Sequence, residues 1–416
     1  MRRHIKTAFG ALLILFVNGA SGAGQEPNGL LTLNDYLHYA ELNNAGLKSS
    51  FQRWQAAKEE IPQAKTLPDP QISYNYWTKQ SDLQMKQTFS VMQPFPWFGK
   101  INARTEAATK EAAAAQQNYQ AARLALFKEV KEGFYEFAYL ARAIDIATEN
   151  LELFKHFEEV ARTRHMTTET GHPDVIRAQV EIAKMEDVLR GLNQLREPTV
   201  SRLRTALTLP AETNLPWPRS EDFNVAEIDY EQLVNLLRQK NPELAGLNFE
   251  AMAAKSKITL AEKNLYPDIG IGVMWENMDS PGGKDGIAMV FQMNLPLWRD
   301  GYTAGQRQAQ AQKASIEQQK VDTENVLLTK ASQAHYEYRD SIRKMRLYRD
   351  TLIPKGKELL QASEAAYRGG TIDFLSLIDA QRMLLDYHLS YERALANNRQ
   401  KLAELEMLVG AELDSK

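Results

Sequence analysis

The 416-residue sequence contains no cysteine, which excludes disulfides, thiol catalysis and cysteine-ligated zinc sites. Glycine and proline, at 22 and 16 residues, are too sparse for a loop-rich or all-β protein. The formal net charge is only −3, so no strongly basic surface indicates nucleic-acid binding. Glycine-rich phosphate loops, HExxH motifs and nucleophile elbows are also missing. The sequence therefore predicts no enzymatic activity, catalytic residue or cofactor.

Long hydrophobic runs are missing too, because nothing beyond the N-terminus approaches the length of a transmembrane helix. The N-terminal stretch MRRHIKTAFGALLILFVNGASGAG begins with basic residues and continues with an apolar segment of about ten residues, too short to span a bilayer. Ser21 and Ala23 place small residues at positions suited to cleavage. We therefore predict a secretory signal peptide at residues 1–23.

The sequence contains an internal repeat, in which the second half resembles the first at an offset of about 200 residues. Pro68-Asp69 matches Pro267-Asp268, and Pro96 matches Pro296. The prediction is an internal duplication, in which each half has a helix, a β-hairpin, a long helix and a returning helix. The predicted boundaries are a first repeat at 24–209, a proline-rich connector at 210–229 and a second repeat at 230–416, with hairpins at 71–93 and 269–295.

Helical segments dominate each repeat, so the fold class is mainly α with a small β part. The first helices are predicted at about 33–65 and 230–265, each ended by a proline. The long helices follow at 100–171 and 302–367, and the first would be roughly 100 Å long. The second contains Pro354 and Gly356, which predicts a local kink.

Both hairpins alternate with period two between large apolar side chains and smaller or polar ones. Alternation of this kind is more often found in a hairpin on a soluble core. Here, however, aromatic residues collect at the segment ends, as in the interfacial girdle of an outer-membrane barrel. Because four strands cannot close a membrane barrel alone, several copies would have to share one. The candidate membrane-interface aromatics are Tyr76, Trp77, Trp97, Phe98, Trp275 and Trp298.

The stretches VMQPFPWFGK and FQMNLPLWRDG each join a strand to a long helix. Pro96 and Pro296 are expected to end the strands, because proline cannot donate to the β-ladder. Gly99 and Gly301 are expected to supply the freedom to turn into the helix.

The duplicated plan, LYPDIGIGVMW and YRGGTIDFLSLIDAQRMLLD together resemble the TolC-type outer-membrane efflux proteins over nearly the whole mature chain. QPFPWFGK and GHPDVIRAQVEI further resemble the branch that serves heavy-metal cation efflux. The resemblance implies a homotrimer with a twelve-stranded outer-membrane barrel and a long periplasmic α-helical barrel. It also implies two protein partners, a periplasmic adaptor and an inner-membrane pump of the RND class. One departure is that many relatives carry a lipidated N-terminal cysteine, which this chain lacks.

The resemblance also assigns roles at the two helix–helix turns. They would form the periplasmic tip and dock the adaptor, although ordinary helix capping alone explains a glycine at each turn. The candidate docking residues are Thr170, Gly171, Arg368, Gly370 and Thr371.

An acidic ring that constricts the tunnel is implied just past the second turn. Asp379 falls on one family aspartate, and Ser376 stands where another is expected. Three copies of Asp379 would attract cations, but an ordinary ion pair with Arg382 is the alternative. Asp373 is a second gate candidate, for which stabilisation of the helix dipole is the alternative.

Several methionines near the strands could suggest soft metal ions, but packing is the commoner role, and we predict no metal site. The predicted function is a passive outer-membrane export duct. The alternative is a periplasmic coiled-coil adaptor or scaffold whose hairpins lie in a soluble domain. The cargo stays open among metal ions, drugs and dyes.

Overall fold

The computed structural model describes residues 30–77, 85–167, 172–219, 227–278 and 284–413. The predicted signal peptide and the candidate docking residues Thr170 and Gly171 lie outside these ranges. Among the described residues, no helix combines the length and apolar character needed to cross a membrane.

The first half of the chain follows the predicted order. Its elements are α1 Leu33–Asn43, α2 Ala45–Lys65, β1 Gln71–Tyr76, β2 Met85–Phe95, α3 Lys100–Thr167, α4 His172–Gln194 and α5 Arg196–Leu207. The 68 residues of α3 form one continuous helix, which is possible because this stretch contains no proline and one glycine.

The second half repeats the order with one interruption. Its elements are α6 Tyr230–Lys240, α7 Pro242–Lys263, β3 Ile269–Met278, β4 Gly286–Met293, α8 Arg299–Leu347, α9 Ile353–Arg368 and α10 Phe374–Val409. A π-helical turn, Tyr348–Leu352, separates α8 from α9 directly before Pro354. The π-helical turn interrupts the helix near the place where the kink was predicted, since proline removes a backbone donor and disturbs the preceding turn. The kink itself stays a prediction.

The prediction of one continuous helix before each hairpin is wrong. Asn44 and Asn241 interrupt these helices in extended backbone conformation, and each side chain accepts a hydrogen bond from the backbone N–H three residues later. Asparagine competes with the helix by bonding to local backbone, so it favours a cap over an interior position. The helical spacing of apolar residues continues on both sides of the break, so that spacing alone does not reveal it.

These two breaks show the duplication in three dimensions. The Asn44 amide donates to the carbonyl of Ala206 and the Asn241 amide to that of Leu408, both at 2.8 Å. Each acceptor lies near the end of a returning helix, where the next residues turn left-handed at Thr208 and Gly410. The same clamp therefore fastens the start of each repeat to its end.

One antiparallel sheet contains all four strands, in the order β1-β2-β3-β4. Tyr74 lies opposite Phe89, and Phe89 lies opposite Trp275. Val273 lies opposite Met289 on the same face, which exposes large apolar side chains. The predicted alternation is confirmed, and the sheet has one apolar face along its whole width.

The helical core has three clusters of buried side chains. Two of them pack the start of each repeat against its long helix, around Phe134 and Tyr338. The third lies near the C-terminal end of α3, where Phe154 and Phe157 pack against Tyr367 and Phe374. Burying each phenylalanine contributes about 1.5–3 kcal/mol. This third cluster holds the helical tip together.

Candidate functional site

The tip is organised around Tyr367, a wholly buried residue in the last turn of α9. Its hydroxyl donates to the Asp174 carboxylate in α4 at 3.2 Å. Arg164 of α3 stacks over the ring at 4.7 Å and donates to the Tyr367 carbonyl at 3.1 Å. Burial, aided by the charge of Asp174, raises the pKa of Tyr367 to about 12. The tyrosine therefore stays a hydrogen-bond donor and joins three helices.

The turn after α9 presents the candidate docking residues of the second tip. Gly370 is left-handed, with φ +76°, and both the backbone N–H and the hydroxyl of Thr371 donate to the carbonyl of Ala366. This is ordinary helix capping. Arg368 is exposed and bonds Glu364 at 2.5 Å. Arg368, Gly370 and Thr371 thus share one exposed turn, and their docking role stays a prediction.

Asp373 and Ser376 act on each other at the start of α10. Asp373 is the N-cap, and its carboxylate accepts from the Ser376 backbone N–H at 3.0 Å and from the Ser376 hydroxyl at 2.6 Å. These hydrogen bonds hold the pKa of Asp373 below its usual range. Asp373 therefore caps α10 from the position before its first residue, and Ser376, the third residue of the helix, supplies both donors.

Asp379 lies on the exposed side of α10, with 56% of its side chain accessible. Its carboxylate is 3.3 Å from the Arg382 guanidinium, so the alternative ion pair is present. Arg382 also reaches across to Glu181 of α4, with contacts of 2.6 and 3.0 Å. Asp379, the candidate gate residue, is therefore connected through Arg382 to the other helical hairpin.

Glu181 is the buried member of this network. Burial acts to raise the pKa of its carboxyl, but hydrogen bonds from Arg382 and Lys184 outweigh burial and lower it. Its pairing with Arg382 joins positions about 200 residues apart, so no local sequence pattern could reveal it. Asp386, seven residues after Asp379, lies on the same exposed stripe of α10.

At the opposite end of α3, Asp268 fastens the first strand–helix junction. Its carboxylate accepts from the Trp97 backbone N–H and from the Lys100 ammonium, both at 2.7 Å. The Lys100 ammonium also donates to the carbonyl of Tyr266 at 2.9 Å, and the Trp97 ring stacks on Tyr266 with centroids 5.5 Å apart. A side chain from the second repeat thereby clamps the junction of the first.

The two junction glycines differ. Gly99 is left-handed, with φ +83°, as expected for the turn into α3. Gly301 lies inside α8, which already begins at Arg299, so the predicted turning role of Gly301 is wrong. The physical reason is that α8 begins three residues after Pro296, whereas α3 begins four residues after Pro96 and directly after its glycine.

The candidate interface aromatics fall at both ends of the sheet. The β1 strand separates the two groups by about 20 Å at 3.3 Å per residue. Phe98 and Trp298 are among the most exposed large apolar side chains in the part of the chain that the structure describes. The group at the strand–helix junctions is Trp97, Phe98 and Trp298, and the group toward the opposite ends is Tyr76, Trp77 and Trp275.

Comparisons with known proteins agree with this architecture. The profile of the family described as "Outer membrane efflux protein" matches residues 36–208 and 233–411. The cobalt-zinc-cadmium resistance protein CzcC of Cupriavidus metallidurans is 21% identical over 398 residues, covering 93% of this chain and 91% of the relative. Solved structures similar to this chain include two outer-membrane channels. OprN has a TM-score of 0.77 and 16% identity, with coverages of 91% and 90%. The open state of MtrE from Neisseria gonorrhoeae has a TM-score of 0.75 and 17% identity, with coverages of 92% and 89%.

The family match covers both repeats separately, so the duplication inferred from the sequence is the duplication of the family. The helical tip and the sheet with one apolar face lie at opposite ends of α3, in a fold shared with solved outer-membrane channels. The chain belongs to the outer membrane efflux protein family.

Proposed function

We propose that three copies of this chain assemble into an exit duct that carries substrates from an inner-membrane pump to the outside. The supporting observation is the four-stranded sheet with an exposed apolar face. Among the described residues, β1 and β4 each have one partner strand, so both sheet edges are open. Open edges are not tolerated in lipid. Three copies supply twelve strands, enough for a barrel with a water-filled lumen.

The proposed cargo is a heavy-metal cation. This proposal rests on CzcC, whose name describes resistance to cobalt, zinc and cadmium and whose similarity extends over nearly the whole chain. The metal ion is cargo in transit, so no resident metal centre is required.

The proposed partners are a periplasmic adaptor and an inner-membrane pump of the RND class. The adaptor would dock at the tip turns, where Arg368, Gly370 and Thr371 are exposed. Thr170 and Gly171 belong to the same proposal at the first turn. Arg368 would supply the charged contact, while the two neighbouring residues keep the turn compact.

The proposed gate is a ring of three Asp379 carboxylates. Arg382 offsets part of this negative charge within each copy, because it pairs with both Asp379 and Glu181. The cap formed by Asp373 and Ser376 fixes where α10 begins and so sets the height of the ring.

The test is to express the full chain in a Gram-negative host that lacks its own duct of this type. Detergent extracts of the outer membrane should contain trimers that resist SDS at room temperature, and these should conduct ions in planar bilayers. Co-expression with a cobalt-zinc-cadmium pump and its adaptor should restore growth on these metals. A water-soluble monomer in the periplasmic extract would instead support the scaffold alternative.

A further inference from the structure

The duplication allows each contact within the chain to be compared with its counterpart in the other repeat. Asp268 directly precedes β3 and clamps the junction that follows β2. Its counterpart Asp69 follows Pro68 as Asp268 follows Pro267, two residues before β1 begins. Because β1 corresponds to β3 and β4 corresponds to β2, Asp69 should clamp the junction that follows β4. Within one chain this is impossible, because β1 and β4 lie at opposite edges of the sheet.

In the single chain the two counterparts do not meet, and the second junction makes only local backbone hydrogen bonds. Asp69 is exposed, and its carboxylate has no hydrogen-bond or ion-pair partner in the part of the chain that the structure describes. At the second junction the backbone bonds to itself, with Leu297 N–H to the Leu295 carbonyl at 2.9 Å and Arg299 N–H to the Leu297 carbonyl at 3.1 Å. The α8 N-cap, Trp298, makes no side-chain capping bond.

The charges of the two surfaces are complementary. Lys100 is the first residue of α3 and provides the cation that Asp268 binds. Arg299 is the first residue of α8 and is exposed. Each long helix thus begins with a cation beside its strand, although the second cation comes one position earlier relative to the preceding proline.

We propose that Asp69 of one copy clamps the second junction of the neighbouring copy, accepting hydrogen bonds from the Arg299 guanidinium and from the Leu297 backbone N–H, which would leave the Leu295 carbonyl. The partner is a second copy of this chain. The inference rests on the proposed trimer and assigns the contact that seals it at the base of the sheet. It makes Asp69 the intermolecular counterpart of Asp268.

The same equivalence fixes the register of the two strands that meet between copies. Within the chain, Phe95 of β2 lies opposite Ile269 of β3, and the ladder continues from there. We apply the β2–β3 register to β4 and the β1 strand of the neighbouring copy. Apolar residues then lie opposite apolar residues on the exposed face, and polar residues lie opposite polar residues on the other face. The apolar pairs are Met293–Ile72, Phe291–Tyr74 and Met289–Tyr76, and the polar pairs are Asn294–Gln71 and Gln292–Ser73.

This sorting supports the register independently of the clamp. A shift by one residue would place every apolar side chain of one strand beside the polar face of the other. The transferred register also keeps the antiparallel direction, because a four-stranded meander leaves its two edge strands antiparallel. No adjustment of the strands is needed.

The register can be tested by disulfide crosslinking, for which the cysteine-free chain is a clean background. Ser73→Cys combined with Gln292→Cys should give covalent dimers and closed trimers on non-reducing gels after mild oxidation. The control Ser73→Cys with Val290→Cys shifts the pair by two residues and beyond disulfide reach, so it should crosslink about tenfold less. Equal crosslinking of both pairs, or stronger crosslinking of the control, would overturn the register.

The clamp itself is tested by exchanging its charges. Asp69→Arg and Arg299→Asp should each lower the temperature at which SDS-resistant trimers dissociate, and the double variant should recover at least half of the loss. Asp300→Asn, one residue away, is the matched control and should change little. Unchanged dissociation in both single variants would overturn the clamp. Should Asp69→Arg fail to accumulate, Asp69→Asn replaces it in the same assay and should also lower the dissociation temperature of the trimers.

These outcomes separate the clamp from the duct. Trimers that conduct ions but show neither the Ser73–Gln292 crosslink nor sensitivity at Asp69 would remove this inference and leave the proposed function intact. A chain that forms no trimer would remove both.

Discussion

At the residue scale, the tip is controlled by a few charged and hydroxyl side chains whose partners lie on other helices. Arg382 is the central one, since it contacts Asp379 on its own helix and Glu181 on α4. Tyr367 has the same role with Asp174 and Arg164. Changes at these residues are therefore expected to alter how firmly the tip is closed, with little effect on the distant sheet.

We expect Asp379→Asn to weaken block of the closed channel by multivalent cations, on the order of tenfold, because three charges leave a narrow ring. Single-channel recordings in planar bilayers would measure the blocking concentration. Asp386→Asn is the matched control on the same stripe of α10. Identical blocking curves for wild type and Asp379→Asn would remove Asp379 from the gate.

The Glu181–Arg382 pair should make the tip sensitive to acid. A lowered pKa in the folded state means that the stabilisation is present above the unfolded value of 4.5 and is lost as pH falls through the folded pKa. Glu181→Gln should therefore destabilise the tip by about 1 kcal/mol near pH 7 and by progressively less as the pH falls below 4.5 and through the folded pKa. Hydrogen exchange at α4 and α10 would measure this. A difference that is independent of pH would contradict the assignment.

At the element scale, the breaks between helices matter as much as the helices. Asn44 and Asn241 each cap one helix and bind the end of another, so each repeat closes on itself through one side chain. The long helix α3 has no such break and runs from the sheet to the tip. Each closure lies near the middle of the long helix, where Gly133 of α3 contacts Leu203, so the repeats extend from it toward the sheet in one direction and toward the tip in the other.

Asn241→Ala should lower the free energy of unfolding by about 2 kcal/mol, because it removes a helix cap and leaves the buried Leu408 carbonyl without its donor. Thermal melting of the purified trimer would show the loss. Asn241→Asp keeps the cap and removes only the amide donor, so its cost should be smaller. Equal melting temperatures for Asn241→Ala and wild type would show that the clamp contributes nothing.

Much of this architecture could be predicted from the sequence, for reasons that particular elements show. The strands could be identified because period-two alternation survives in every one of them, and α3 because it lacks breakers. The split at Asn241 has a signal in Pro242, because proline favours the first helical position and disfavours helix in the residue before it. The split at Asn44 could not be predicted, since no proline follows it. The tip network was equally inaccessible, because Glu181 and Arg382 meet only after two separate hairpins pack together.

At the scale of the whole molecule, the length of α3 sets the reach of the proposed duct. Its 68 residues extend about 100 Å from the base of the sheet to the tip. A purified trimer should therefore measure roughly 130 Å along its axis once a membrane-spanning barrel of about 30 Å is added. Electron microscopy of detergent-solubilised particles would test this. A compact particle half as long would contradict the proposed assembly.

The π-helical turn Tyr348–Leu352 has a consequence for how such a tube could widen. In the first repeat α3 is one unbroken helix. Its counterpart in the second repeat, α8 and α9, is interrupted by the π-helical turn shortly before Pro354. Around the proposed trimer, three copies of the unbroken α3 would alternate with three copies of the interrupted α8–α9 helix, which would bend more easily. Opening at the helical tip would then follow threefold symmetry, with the interrupted α8–α9 helices bending and the α3 helices staying straight.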